Sequence, residues 1–328
     1  MKDKRGYENS FAWIFAIIAG AIIIFLAIYA VTNLIGTFKN VRNSETGLEI
    51  GTLLTPFETS IIEGLTNPIK TREETEINNI CNDNGDFGTQ KISVKVISKI
   101  GREGFKGEES SFKNKYLFSE KVIKGKEFYI LSKPLDFPFK IGDLIMAWSN
   151  NQEYCFVGLR NIYPDIEKDV GGWSSKNVVN VTAIGNCADD SIKVCFNSPE
   201  RSCDIIVRNN EVEHVNKGEE VYFSALDGNN ALLYAAIFSD PEIYDCQIKR
   251  LMKRASKLEE LYEEKASLPK SLGGCDSMGY LGPYLNAYKN DVNSISRLDL
   301  NLYKPKITDA ESSARNLDDN NVQNCKLY

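Results

Sequence analysis

The sequence predicts an α+β protein: an N-terminal transmembrane helix, a disulfide-bonded, β-rich, sandwich-like ectodomain and a C-terminal antiparallel helical hairpin. Three observations predict this fold class. Residues 11–35 form an uncharged apolar run, short segments between residues 90 and 238 alternate apolar and polar side chains, and apolar residues recur every three or four positions after Ser239. The 328 residues therefore divide into a cytoplasmic tail (1–10), a transmembrane helix (11–35), a stalk leading into the domain (36–89), a β-rich ectodomain (90–238) and a helical hairpin with a C-terminal segment (239–328).

The apolar run 11–35 is long enough to cross a lipid bilayer. A hydrocarbon core about 30 Å thick needs roughly 20 helical residues, and the polar side chains of this run, Thr32 and Asn33, lie near its end. A helix on the surface of a soluble domain would show a polar face. A secretory signal peptide has a shorter apolar region and a small-residue cleavage site after it. We therefore expect a retained membrane anchor.

The cysteines indicate on which side of the membrane the domain lies. All eight follow the apolar run, and an even number on one side is typical of disulfides in an oxidising compartment. Zinc binding is the rival interpretation, but the chain has a single histidine, His214, and no CxxC pair. The basic residues before the run give a weak bias to a cytoplasmic N-terminus. The disulfide candidates are Cys81, Cys155, Cys187, Cys195, Cys203, Cys246, Cys275 and Cys325.

The spacing of the cysteines favours some pairs over others. Cys195 and Cys203 flank a turn-forming segment between two predicted strands, so we expect this bridge to staple a hairpin, with Cys187 as the competing partner. A straight helix of about 20 residues would separate Cys246 from Cys275 by roughly 30 Å, which excludes that pair. Cys325 can reach either of these two cysteines, and Cys275 is favoured if the C-terminal helices run up, down and up.

Short segments with alternating or β-branched composition predict the strands of the ectodomain. The clearest is Ile92–Ser98, and an Asn150-Asn151 turn should pair Leu144–Trp148 with Tyr154–Val157 as a hairpin. The remaining predicted strands are in 121–132, 178–183, 192–196, 204–207 and 220–225. Such spacing is typical of a β-sandwich or a curled sheet.

Periodicity and capping signals predict the C-terminal helices. Ser239 is the expected cap of a helix over 243–266, with Pro241 in its first turn. Its basic side chains could meet an acidic partner, although a solvated face is the more ordinary interpretation. These side chains are Lys249, Arg250, Lys253 and Arg254. A second helix is expected over 277–300, and a third from Thr308 to a point before Cys325.

The residues before the apolar run resemble the leader of archaeal type IV pilins of class III. In Lys4-Arg5-Gly6-Tyr7-Glu8, basic residues and a small residue precede a long apolar helix, and the resemblance implies cleavage between Gly6 and Tyr7. The chain departs from that pattern at Tyr7, where glutamine is common, and at Phe11, where a glutamate is usual. Within the run, Ala12, Ala16 and Gly20 form a small-residue face that is suited to self-association.

A longer stretch resembles single-pass membrane proteins of small-genome archaea. The resemblance is carried by residues 232–254, by Lys133-Pro-Leu-Asp-Phe-Pro-Phe-Lys-Ile141 and by the tail with its apolar run, and it would cover most of the chain. It implies a place in the archaeal cell envelope. It brings no activity and no site residue.

The chain carries no motif of a nucleotide-binding loop, a nucleophile elbow or a zinc protease. His214 lies in a polar segment and is expected to be an exposed structural residue, and the Ser110-x-x-Lys113 and Ser267-x-x-Lys270 spacings are common by chance. Asn180-Val-Thr182 matches the N-glycosylation acceptor pattern. We predict no catalytic, metal or cofactor site.

The net charge of −6 gives no electrostatic reason to expect a nucleic-acid partner. The expected partners are the lipid bilayer, further copies of this chain through its transmembrane helix, and other envelope proteins. The sequence therefore predicts a non-catalytic, membrane-anchored envelope protein with a structural or interaction role, such as a pilin-like subunit. A tethered extracytoplasmic ligand-binding domain is the first alternative, and an anchored hydrolase is the second.

Overall fold

The apolar run near the N-terminus forms helix α1, Trp13–Leu34. The computed structural model describes residues 13–34, 64–65, 68–97, 109–159, 163–173, 177–197, 202–223, 229–269, 278–297, 303–324 and 328. The most apolar 18 residues of α1 have a mean hydropathy of 2.9, and none of them is buried against the described protein. By length and composition, this helix can cross a membrane, and the ends of the predicted run 11–35 lie outside the described residues.

Seven strands form the first sheet. They are β1 (Gly64–Leu65), β2 (Ile69–Asn82), β3 (Thr89–Val96), β4 (Ser110–Phe112), β5 (Tyr116–Phe118), β6 (Val122–Asp136) and β7 (Lys140–Ser149). The strand order is β4-β3-β2-β6-β7-β5, and β1 pairs with β6. All pairs are antiparallel except β5 with β7. The strand β2, within the range predicted as the stalk, pairs with β3 on one side and β6 on the other.

Six strands form the second sheet, in the order β13-β12-β11-β10-β8-β9. They are β8 (Tyr154–Val157), β9 (Val178–Val181), β10 (Ile192–Phe196), β11 (Ile205–Arg208), β12 (Glu211–His214) and β13 (Glu219–Tyr222). The four neighbouring strands β9, β8, β10 and β11 run parallel to one another. Helix α2 (Pro164–Gly171) connects β8 to β9. Parallel neighbours need such a crossover connection.

The predicted hairpin between Leu144–Trp148 and Tyr154–Val157 is wrong. The strand β7 already has β6 on one side and β5 on the other, and β8 enters the second sheet between β9 and β10. All four residues of β8 are buried, as is usual for an inner strand of a parallel sheet. The turn residue Asn150 instead uses its Oδ1 atom to accept hydrogen bonds from the amides of Lys126 and Glu127.

Helix α3, Ala231–Phe238, lies between the two sheets, and all eight of its residues are buried. It contacts β5, β6 and β7 of the first sheet and β12 of the second. The Phe238 ring stacks on Trp148 of β7 at 4.6 Å and meets the edge of Tyr154 of β8 at 4.7 Å. An isolated helix of this length is marginal in water, so burial of its apolar side chains holds it in place.

Three further helices follow α3. They are α4 (Pro241–Ser267), α5 (Met278–Ile295) and α6 (Tyr303–Asn324). Helix α4 packs on β2, β5 and β7 of the first sheet and on β13 of the second, and it also contacts α5. Asp240, rather than the predicted Ser239, caps α4 by accepting a hydrogen bond from the Glu242 amide. The third helix begins at Tyr303, five residues before the predicted cap Thr308, which lies inside it.

Candidate functional site

A charged cleft of about 310 Å³ opens where the β5–β6 turn meets the second sheet. Its remaining walls are the segment before β10, the start of β11 and the end of β12 with the turn that follows it. Four carboxylates and two ammonium groups line it, and His214 lies beside them. The charged lining residues are Glu120, Asp189, Asp190, Lys193, Asp204 and Lys217.

Lys217 joins three parts of the fold at this cleft. Its Nζ atom lies 2.9 Å from Glu120 Oε2, in the turn after β5, and 2.8 Å from Asp240 Oδ2, at the start of α4. Burial acts to lower the Lys217 pKa, but the hydrogen bonds to Asp240 and Glu120 outweigh it and the pKa is raised. Burial acts to raise the Asp240 pKa, but the hydrogen bond from Lys217 leaves it lowered. Both groups are therefore charged at neutral pH.

His214, the last residue of β12, is only 4 % exposed, so the prediction that it is exposed is wrong. Its Nε2 atom lies 3.0 Å from the main-chain oxygen of Ala236 in α3. Because a carbonyl can only accept, Nε2 carries the hydrogen, which assigns the tautomer. Burial lowers the His214 pKa to about 4. The ring is therefore neutral near pH 7 and is a weak proton acceptor there.

Asp204 holds the opposite wall of the cleft together. Its Oδ1 atom accepts a hydrogen bond of 2.8 Å from the Asn216 side chain, and its Oδ2 atom accepts one of 2.8 Å from the Lys193 amide. These bonds join β10 to the turn after β12. The central charged groups are thus engaged by partners within the fold. Among the described residues, no group of three or more His, Cys, Asp or Glu side chains could hold a metal ion.

The sequence gives no spacing signal for the group formed by Glu120, Lys217 and Asp240. Lys217 is 97 residues from Glu120 and 23 from Asp240, so only the folded chain brings them together.

No family model, curated protein or solved structure matches this chain.

Two members of the basic face predicted on α4, Arg250 and Lys253, bind turns of the first sheet instead of forming part of a solvated surface. Arg250 is fully buried and donates hydrogen bonds to main-chain oxygens of that sheet's turns. Lys253 binds the main-chain oxygens of Asp83 and Gly85 in the β2–β3 turn. Lys249 forms an ion pair of 2.9 Å with Asp245 on its own helix. The contacts of Arg250 and Lys253 attach α4 to the first sheet.

Six of the eight cysteines form three disulfides. The pairs are Cys81–Cys246, Cys155–Cys187 and Cys195–Cys203. The predicted local pair Cys195–Cys203 is confirmed, but it does not staple a hairpin, because β10 and β11 are parallel. Cys187 does not compete for Cys195, and the alternative of a Cys246–Cys325 bridge is wrong because Cys246 bonds Cys81 in β2. Cys275 and Cys325 lie outside the described residues.

The remaining predicted sites are distributed over the fold and outside it. Ala16 and Gly20 lie on α1, whereas Gly6, Tyr7 and Ala12 lie outside the described residues. Ser110 begins β4 and Ser267 ends α4, and the Lys270 side chain that would complete the second Ser/Lys spacing also lies outside them. Asn180 is exposed on β9.

Proposed function

We propose that this chain is a non-catalytic envelope protein that is anchored in a membrane by α1 and acts outside the cytoplasm through contacts with other envelope proteins or copies of itself. The observation that carries this proposal is an apolar helix, exposed on all sides, in the same chain as a disulfide-bonded domain. The N-terminus then lies in the cytoplasm and the domain outside it.

The dimensions of α1 support the anchor. Its 22 residues give a length of about 33 Å at 1.5 Å per residue, which matches a hydrocarbon core about 30 Å thick. Large apolar side chains such as Trp13, Phe15 and Phe25 are more than 60 % exposed. A surface of this kind is stable in lipid or against other apolar helices. The disulfides support an oxidising environment for the domain.

Self-association through α1 is supported by its small residues. Ala16 and Gly20 are one turn apart, and a Cβ atom built on Gly20 meets nothing within 4 Å. Small residues at this spacing allow two helix backbones to approach closely. A pilin-like assembly, with cleavage after Gly6, is the most specific form of the proposal. We further propose two finer features of the fold. The two sheets stack as in a sandwich, and α4 and α5 run antiparallel to each other.

A tethered ligand-binding domain is the second candidate function, and the charged cleft is the observation that favours it. Its volume of about 310 Å³ is at the lower end for small-molecule sites. The fixed positions of Lys217 and Asp204 would let the cleft select a polar ligand by hydrogen bonding.

Membrane extraction and disulfide mapping of the full chain test the anchor and the compartment. We expect the protein to stay in membranes at alkaline pH, and Cys81–Cys246 to be recovered as a bridged peptide pair without reduction. A double variant, Ile23→Arg with Phe25→Arg, should release the chain, because each arginine near the bilayer centre costs about 3 kcal/mol. Release of the unmodified protein, or free thiols at all six described cysteines, would contradict the proposal.

The helix-packing face is tested by cross-linking in membranes. Ala16→Leu adds a bulky side chain to the small-residue face, whereas Ala21→Leu makes the same change about 140° around the helix. We expect Ala16→Leu to reduce the cross-linked dimer several-fold and Ala21→Leu to leave it unchanged. An equal effect of both variants, or none, would rule out this face as the contact.

A further inference from the structure

Asn180 lies in the strand β9, which is an edge strand of the second sheet. The triplet Asn180-Val181-Thr182 is the one Asn-x-Ser/Thr acceptor pattern in the whole sequence that lacks proline at its middle position. The side chains of Asn180 and Thr182 are both exposed, whereas Val178, two residues before Asn180, is fully buried. Asn180 on β9 and Thr182 directly after the strand are therefore presented to solvent, while the buried Val178 anchors the strand.

The position of β9 in its sheet leaves the triplet accessible. Among the described strands, β9 pairs with β8 on one side, where Asn180 lies opposite Phe156, and it has no neighbour on the other. The Cys155–Cys187 disulfide connects β8 to the turn that follows β9. The triplet thus lies at an open and firmly anchored edge of the domain.

We propose that Asn180 is an N-glycosylation acceptor. This inference rests on the proposed function, because it requires that the domain is translocated out of the cytoplasm. The side-chain amide nitrogen of Asn180 forms a bond to the anomeric carbon of an oligosaccharide carried by a lipid-linked diphosphate. The bond from that carbon to the diphosphate breaks, the lipid diphosphate leaves with the electron pair, and the amide loses one proton.

A glycan at this position would also protect the sheet edge. The strand β9 reads Val-Val-Asn-Val, and an exposed edge of that composition is a site for pairing with another chain. A bulky, solvated group on Asn180 prevents such pairing in the same way as the charged residues and prolines that other edge strands use.

Translation of the full chain into microsomes from the endoplasmic reticulum tests the acceptor and the orientation separately. We expect one glycan, removable by peptide N-glycosidase, on the unmodified chain and on Thr182→Ser, and none on Asn180→Gln or Thr182→Val. As a control for orientation, Asp86→Thr creates a second acceptor triplet at Asn84 in the exposed β2–β3 turn. This variant should carry two glycans, and one when it is combined with Asn180→Gln.

The pattern of bands separates the two ways of failing. One glycan on Asp86→Thr and none on the unmodified chain would show that the domain is translocated but that Asn180 is not an acceptor. This result overturns the inference and leaves the proposed function standing. No glycan on any variant of a membrane-inserted chain would place the domain in the cytoplasm, and it would overturn both.

Discussion

Arg250 of α4 donates a hydrogen bond of 2.8 Å from Nη1 to the main-chain oxygen of Lys115. The same guanidinium donates to the main-chain oxygens of Phe87 and Lys113 and to the side-chain oxygen of Gln247. Burial lowers the Arg250 pKa to about 10, so the side chain stays charged at neutral pH. A buried cation is thus satisfied by carbonyl groups in two turns of the first sheet, and these contacts fix the helix on the sheet.

Replacing Arg250 should destabilise the domain strongly. Arg250→Met keeps the apolar part of the side chain but leaves several buried acceptors without donors, so we expect a loss of about 3–5 kcal/mol. Arg250→Lys should lose nearly as much, because one ammonium group cannot reach acceptors arranged around a planar fork. Lys257→Met on the exposed face of α4 is the control, with a change of about 0.5 kcal/mol or less. Urea unfolding measures all three, and equal stability of Arg250→Met and Lys257→Met would contradict the assigned role.

The three disulfides should contribute unequally to stability. Cys81–Cys246 spans 165 residues and Cys195–Cys203 spans 8. In the chain-entropy treatment, closing loops of these lengths stabilises the folded state by about 5 and about 2.5 kcal/mol. The paired alanine variant at 81 and 246 should therefore unfold at a clearly lower urea concentration than the pair at 195 and 203. The reverse order would show that local packing, rather than loop length, dominates.

Much of the fold was predictable because it depends on local patterns. The alternation around Ile92 and the apolar spacing after Ser239 correspond to β3 and α4, and the turn between Cys195 and Cys203 indicated a bridge that is present. In each case, neighbouring residues determine the structure. Periodicity and turn composition report such features directly.

The missed features depend on contacts between distant parts of the chain. The segment Ala231–Phe238 is apolar throughout, so it shows neither a helical nor a strand-like hydrophobic period. Its sequence alone is equally compatible with a strand and a helix, and its place between the two sheets decides for the helix. His214 has polar neighbours in sequence but is buried, because β12 faces α3. The cleft could not be predicted for the same reason, since Lys217 finds its carboxylates on two remote segments.

His214 should make the domain less stable in acid. Its folded pKa is about 4 and that of a free histidine is about 6.5, so the unfolded state binds the proton between these values. The free energy of unfolding therefore has its full value above pH 6.5, and titration of this group lowers it by about 3 kcal/mol as the pH falls toward 4. His214→Gln should remove this part of the pH dependence. Unfolding free energies at pH 7.5, 6.5, 5.5 and 4.5 measure it, and parallel curves for the two proteins would contradict the prediction.

Glu259 should have the opposite effect. It is fully buried on α4, and Lys289 Nζ lies 3.2 Å from its carboxylate, 3.6 Å from Glu260 and 3.7 Å from Glu263. Burial raises the Glu259 pKa to about 7, even though the hydrogen bond and charge of Lys289 act against this shift. The folded state therefore binds a proton between about pH 4.5 and 7, and its stability decreases as the pH rises through that window.

The variant Glu259→Gln resembles the protonated acid and should remove this loss. Relative to the unmodified protein, it should therefore be stabilised more at pH 8 than at pH 5. Glu260→Gln is the matched control, because Glu260 is adjacent, shares Lys289 and has a lowered pKa that arises chiefly from its hydrogen bond to Lys257. The windows of Glu259 and His214 overlap and their signs are opposite. The unmodified protein should therefore show a shallow pH dependence between pH 5 and 6.5, and each single variant should expose the slope of the other group. A Glu259→Gln profile that follows the unmodified protein at every pH would show that this carboxylate is ionised throughout.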